Sequence, residues 1–323
     1  MLRLSITSIF LSVFFVCPGQ SIQQDATNTS NQVINVTLLG TGTPLPVMDR
    51  FGASILVQAG GENLLFDAGR GCLQRLRQLK IGYTTIDAVF FTHLHSDHIV
   101  GFPDLWLTGW LTSQRTTPLK VFGPEGTRNM TEYLRKAYEF DIAIRESDDK
   151  ASPEGCKLLT TDIKEGTIYE QNGIKVISFL VDHYPVVPAF GYRVEFGGHS
   201  VVLSGDTRYS ENLIKNAKGA DLLIHEVAIA SDTVTKSDPS YHILAHHTTP
   251  EQAGKVFAAV KPKLAVYSHI VRIYGYPTDE ILPRTKEKYP GRVMLGEDLM
   301  SFTVGDTVTM QVKPSEPGVG QHK

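Results

Sequence analysis

Apolar residues recur along this chain in short β-branched or aromatic runs, each closed by turn-forming residues. Residues 33–39, 53–58, 62–66 and 86–91 read as strands, and Ala59-Gly60-Gly61 joins the second to the third as a hairpin. Between and after them the period lengthens to that of helices at 69–80, 103–112 and 127–145. The second of these carries Trp106 and Trp110 at i, i+4 on one buried face. The third places Tyr133, Ala137 and Phe140 on one side. Strands at 157–161, 173–181, 190–196, 200–203, 220–224 and 264–267 follow, interleaved with helices at 210–216, 250–260 and 278–289, and a last strand or hairpin at 301–312. No internal repeat is visible. Strands alternating with helices in both halves predict an α/β fold whose sheets are covered by helices.

The ends differ from this pattern. Arg3 precedes an apolar stretch from Leu4 to Val16, and Cys17-Pro18-Gly19-Gln20-Ser21 follows with small and turn-forming residues. Residues 1–21 therefore read as a signal peptide, which predicts a secreted or periplasmic protein. The stretch is shorter than the roughly 20 residues a membrane span needs, so no stable span is expected. Residues 22–32 read as a flexible mature N-terminus, 33–312 as the folded domain and 313–323 as a flexible tail. At 41% hydrophobic and 20% charged, the composition is that of a soluble globular protein. Net charge is −3 with no Lys/Arg block, so no nucleic-acid partner is expected. A homodimer is compatible with all of this. Cys72 and Cys156 leave two readings open, one disulfide or two free thiols.

Candidate chemistry concentrates in Thr92-His93-Leu94-His95-Ser96-Asp97-His98, which ends the apolar run 86–91. His93 and His95 are two apart and share a side on extended chain. Asp97 and His98 are adjacent and need a turn, so the spacing suits two neighbouring cations better than one. Imidazole and carboxylate are donors suited to zinc, with manganese or iron able to fill the same set. His183, Asp206 and His269 each follow an apolar strand, where loops at a sheet edge carry function.

The His-x-His-x-Asp-His pattern resembles the signature of the metallo-β-lactamase superfamily. The resemblance implies a four-layer αβ/βα sandwich with metals at one edge. It also implies that His93, His95 and His183 hold one metal, that Asp97, His98 and His269 hold the other, and that Asp206 bridges them. Asp67, in Phe66-Asp67-Ala68-Gly69, matches the superfamily's early Asp and would orient a ligand His. Two cations held close together activate water near neutral pH and stabilise attacking and leaving oxygens, with Asp97 also orienting the nucleophile, so hydrolysis is the implied reaction.

Further motifs resemble the ribonuclease Z group over residues 34–303. They are Leu38-Leu39-Gly40-Thr41-Gly42, the stretch Pro188 to Glu195, Gly205-Asp206-Thr207-Arg208, His225-Glu226-Val227-Ala228 and His246-His247-Thr248-Thr249. The resemblance makes Glu226 and His246 a pair that protonates the leaving oxygen, with His247 as the alternative to His246. Two departures argue against tRNA processing. Only 206 − 183 = 23 positions separate His183 from Asp206, too few for that group's basic arm, and a signal peptide removes the chain from tRNA. The expectation is then an arylsulfatase-like hydrolase of small anionic esters, with Arg208, Arg193 and Arg272 as anion partners. Trp106, Trp110, Tyr184, Tyr274 and Tyr276 are the candidate wall for an aryl group. A phosphodiesterase of the ribonuclease Z type is the alternative, followed by a lactonase or thioesterase, and by a metal-binding protein without turnover.

Overall fold

Alternation along a strand sorts side chains onto two faces, and here it sorts them into two kinds of core. In the computed structural model, which describes residues 32–312, Val36, Leu38, Val57, Leu64, Phe66 and Phe90 meet Val176, Tyr192, Val194, Val201, Leu203 and Ile224 between two sheets. The intervening Leu39, Leu56, Leu65, Val89 and Phe91 face outward. There they pack under the helices Cys72–Gln78 and Phe102–Leu111. On the far side Val202, Leu223, Val227 and Tyr267 pack under Glu211–Ala217, Pro250–Val260 and Ile281–Lys286. The result is the four-layer αβ/βα sandwich expected. The expected leader and tail, and all but residue 32 of the expected flexible N-terminus, lie outside the described residues.

The eight-stranded sheet runs, edge to edge, Val308–Val312, Met300–Val304, Ile34–Gly40, Ser54–Ala59, Glu62–Phe66, Ala88–Phe90, Leu119–Gly123 and Leu158–Asp162. The seven-stranded sheet runs Val293–Leu295, Leu264–Arg272, Leu222–Ile229, His199–Leu203, Val186–Phe196, Ile174–His183 and Gly166–Gln171. Glu62–Phe66 through Leu158–Asp162 are parallel, as are His199–Leu203 through Val293–Leu295. The C-terminal ends of parallel strands deliver their loops to one edge, and the candidate site lies there.

Several elements depart from expectation. The single helix expected over 127–145 breaks at Tyr138 into Thr127–Ala137 and Glu139–Ser147, and Tyr133 and Phe140 face solvent. The edge strand Gly166–Gln171 escaped notice because its sequence is polar. Its signal was Asn172-Gly173, whose positive φ values of 51° and 80° make the tight turn to the next strand. Trp106 and Trp110 are fully buried, with indole N–H groups donating to Cys156 O (3.0 Å) and Ser152 O (2.8 Å), so they are core and not a pocket wall. Cys72 and Cys156 are buried and unbridged. Burial pushes the Cys72 thiol up to about 12, so it stays protonated and unreactive.

Candidate metal centre

The ligand segment leaves the strand Ala88–Phe90 and turns at His95, and the short helix Ser96–Ile99 starts there. That turn swings Asp97 and His98 away from the direction of His93 and His95. The helix is seated by two backbone bonds, Ala68 N–H to His98 O (2.7 Å) and Gly101 N–H to Ala68 O (2.9 Å). The approach requires glycine at 69, where a Cβ would lie 2.5 Å from Asp97 O.

Two β-bulges aim the remaining histidines. Glu226 pairs with Ser268 and Val227 with Ile270, so His269 is the extra residue in its strand, at φ 44°. His183 ends its strand, where the register against Val186–Phe196 also shifts. Asp206 follows Gly205, whose φ of 59° and whose closeness to Phe190 O, 2.6 Å from an added Cβ, leave no room for a side chain. Expected just past their strands, His183 is the last paired residue of its strand and His269 lies inside its own, where the bulge lets paired backbone carry an inward-aimed ligand.

These bends converge on one carboxylate. Asp206 Oδ2 lies 3.4 Å from His98 Nε2, 3.4 Å from His269 Nε2, 3.9 Å from His93 Nε2 and 4.0 Å from His183 Nε2. Ligating atoms of His93, His95 and His183 cluster within 4.8 Å of one another, as do those of Asp97, His98 and His269. All of these side chains are buried except His95, which faces the opening. The donor set fits divalent cations. His93 Nε2 and His98 Nε2 are buried without a hydrogen-bond partner and face a carboxylate, an arrangement that a shared cation would satisfy.

The other ring nitrogens are held from behind. Asp67, itself at φ 57°, lies with Oδ2 2.8 Å from His98 Nδ1 and accepts from Thr92 N–H (2.8 Å) and Oγ1–H (2.9 Å). His183 Nδ1 meets His246 O at 3.0 Å. Each contact places the proton on Nδ1 and leaves Nε2 free to face Asp206. Burial pushes Asp206 up, but His269 and His98 outweigh it and hold the carboxyl well below its ordinary range. Burial, reinforced by the charge of His98, keeps His93 neutral, the form in which imidazole binds metal. Replacing Asp67 with Asn should weaken metal affinity roughly 10- to 100-fold while leaving the fold intact, read by chelator competition and circular dichroism. Unchanged affinity would mean that His98 is oriented by other contacts.

The sequence paired Glu226 with His246; the structure pairs it with His247. Glu226 Oε2 lies 3.2 Å from His247 Nδ1, and Oε1 accepts from Thr248 N–H at 2.8 Å. Burial lowers the basicity of His247, but the Glu226 carboxylate more than offsets this and brings its pKa to about 9. His246 contributes its backbone carbonyl to His183, and its ring lines the cleft above the cluster. Two adjacent histidines on a turn point in different directions, and spacing alone could not say which faces Glu226.

The arginines are also corrected. Arg208 donates to Ala245 O (2.6 Å) and Tyr184 O (3.0 Å), and Arg193 to Glu195, Asn216 O and Lys218 O, so both tie backbone segments together. Arg272 alone of the three lines the cleft, with Nε and Nη2 donating to Tyr276 O and Gly275 O at 2.8 Å each. The cleft is about 480 Å³. His95, His183, Asp206 and His269 are at its floor, and its walls come from Pro44, Leu45 and Ile243, which the sequence did not flag, and from His242 and Tyr274.

The family profile described as Beta-lactamase superfamily domain matches residues 62–270. Ribonuclease Z of Mycobacterium marinum is 37% identical over 275 residues, 83% of this chain and 97% of that protein. Ribonuclease Z of Mycolicibacterium gilvum is 34% identical, over 83% of this chain and 95% of that protein. Two crystal structures share the fold. The metallo-β-lactamase fold protein YhfI of Bacillus subtilis has a TM-score of 0.65 at 20% identity, covering 84% of this chain and 99% of its own. The short form of human tRNase Z has 0.61 at 23%, covering 83% and 98%. The named relatives overturn the arylsulfatase expectation and the exclusion of nucleic acid as a partner. The physical error was to weigh a missing arm too heavily. An arm governs how a substrate is held, whereas the ligand cluster and the Glu226 pair bear on which bond breaks. The chain belongs to the metallo-β-lactamase superfamily of metal-dependent hydrolases and, within it, to the ribonuclease Z family.

Proposed function

We propose that this chain is a divalent-metal phosphodiesterase of the ribonuclease Z type, cleaving a phosphodiester bond in RNA, with zinc as its metal. The observation that carries the reading is the single Asp206 oxygen within 3.4–4.0 Å of four imidazole nitrogens, in a chain 37% identical to a ribonuclease Z. His93, His95 and His183 would hold one ion, Asp97, His98 and His269 the second, and Asp206 both. When bound, the ions supply an activated water and neutralise charge on the phosphoryl oxygens. The chain's own residues do the rest. Asp67 and the carbonyl of His246 orient ligand rings. His247 holds a proton on the side of the cleft where the leaving oxygen departs, and Glu226 keeps that imidazole aligned and charged. A phosphate in the cleft meets few cations, because Arg208 and Arg193 are committed to backbone carbonyls.

Export by way of residues 1–21 is a separate proposal, decided by fractionating cells that express the full chain. The function is tested with zinc-loaded protein on a precursor tRNA bearing a 3′ trailer and on bis-p-nitrophenyl phosphate. Chelator-sensitive cleavage of both supports the reading. Inactivity on both, with turnover of a lactone or thioester, would refute it.

A further inference from the structure

We infer that Tyr274 is a stacking platform for the nucleobase adjacent to the phosphate being cleaved, an inference that rests on the phosphodiesterase reading above. Tyr274 lies in the cleft wall, in the turn Ile273–Gly275 that follows the strand carrying His269. Its side chain is exposed (72%), yet it is not loose. Its hydroxyl donates to Asp238 Oδ1 at 2.8 Å, across to the loop that precedes the short helix Tyr241–Leu244. Its backbone sits at φ 53°, ψ 30°, a left-handed conformation that bulky residues rarely adopt. Arg272 holds the same turn through the carbonyls of Gly275 and Tyr276. A ring kept in a strained backbone, tethered at its far end and left open to solvent is pre-organised for a ligand, since little further order is needed on contact.

The chemistry of the wall selects the ligand. Beside Tyr274 stand Leu45 (65% exposed) and Ile243, both aliphatic, and His242, while the guanidinium of Arg272 is taken up by backbone carbonyls. The floor is the ligand cluster, where a phosphoryl group would sit. A group attached to that phosphate then meets a π face and hydrocarbon on this side of the cleft. Every nucleobase presents a flat π face, and stacking on an aromatic side chain holds it without reading its sequence. A cleft of about 480 Å³ is in the range of small-ligand sites and takes the nucleotide at the scissile bond, not a folded RNA.

The test compares thymidine 5′-(p-nitrophenyl phosphate) with methyl p-nitrophenyl phosphate, which has the same leaving group and no base. The wild type should prefer the nucleoside ester in kcat/KM by roughly 5- to 100-fold, mostly through KM. Tyr274→Gly suits the left-handed backbone and removes the ring, so the fold is kept and the preference should vanish. Tyr274→Trp should retain it. A preference that is absent in the wild type, or identical in Tyr274→Gly, overturns the inference. Calorimetry with AMP and ribose 5-phosphate gives a readout free of turnover. Tighter binding of AMP to the wild type, lost in Tyr274→Gly, supports the stacking site even if no diester is cleaved, in which case only the phosphodiesterase reading fails. Equal binding of the two ligands by the wild type refutes the stacking site.

Discussion

Asp206→Asn should lower kcat/KM on a phosphodiester on the order of 10³-fold, about 4 kcal/mol of transition-state stabilisation, and should leave at most one ion per chain. One oxygen of Asp206 faces histidines of both candidate metal groups, so the substitution removes a negative charge that serves them together. Asp97 offers a second carboxylate, whose close contacts are to His98 and His269, at 3.6 and 3.2 Å. Asn keeps the size and one carbonyl oxygen, so the loss reads charge and not packing. Two cations held side by side would then repel each other with less negative charge between them. Metal content by mass spectrometry and steady-state rates measure both arms. A variant that keeps two ions and near-normal rates would remove Asp206 from the centre of the proposal.

His247→Ala should reduce kcat on an RNA diester by roughly 10²- to 10⁴-fold while the ions stay bound, the usual range for removing a general acid. His246→Ala should cost far less. The contrast follows from contacts. Glu226 is held by Thr248 N–H and in turn holds His247, whereas the ring of His246 makes no hydrogen bond among the described residues, and the rings of His183 and His242 lie 6.2 and 6.1 Å from it. A second comparison separates an acid from a merely structural residue. The p-nitrophenolate leaving group needs no proton, so His247→Ala should lose much less on bis-p-nitrophenyl phosphate than on RNA. Equal losses on both substrates would assign His247 to metal or substrate positioning and not to proton transfer.

The α/β layering was legible because its information is local, whereas the four-layer sandwich followed from the family resemblance. Val36 and Leu38 against Leu39, or Phe66 against Leu65, declare by period two that both faces of a sheet are covered. The cluster from His93 to His98 was legible because the turn that sorts its ligands lies within six residues. The boundaries of the helices beyond Thr127 were not, since nothing local marks the break at Tyr138. Substrate was misjudged for a related reason. Absence of an arm is a statement about one interval of sequence, and it outweighed five separate motifs that describe the reacting centre.

By itself, then, the sequence determined the α/β layering, the residue types at the metal centre and their order along the chain. Those follow from side-chain period and donor chemistry, which are properties of short segments. Tertiary structure alone decided that His247 and not His246 meets Glu226, that Arg208 and Arg193 serve backbone carbonyls, and that a bulge turns His269 inward. It also decided that Tyr274 stands tethered over the cleft. Each depends on contacts between segments far apart in the chain. For His269, a one-residue shift in strand register reverses where the side chain points, and no local spacing records it.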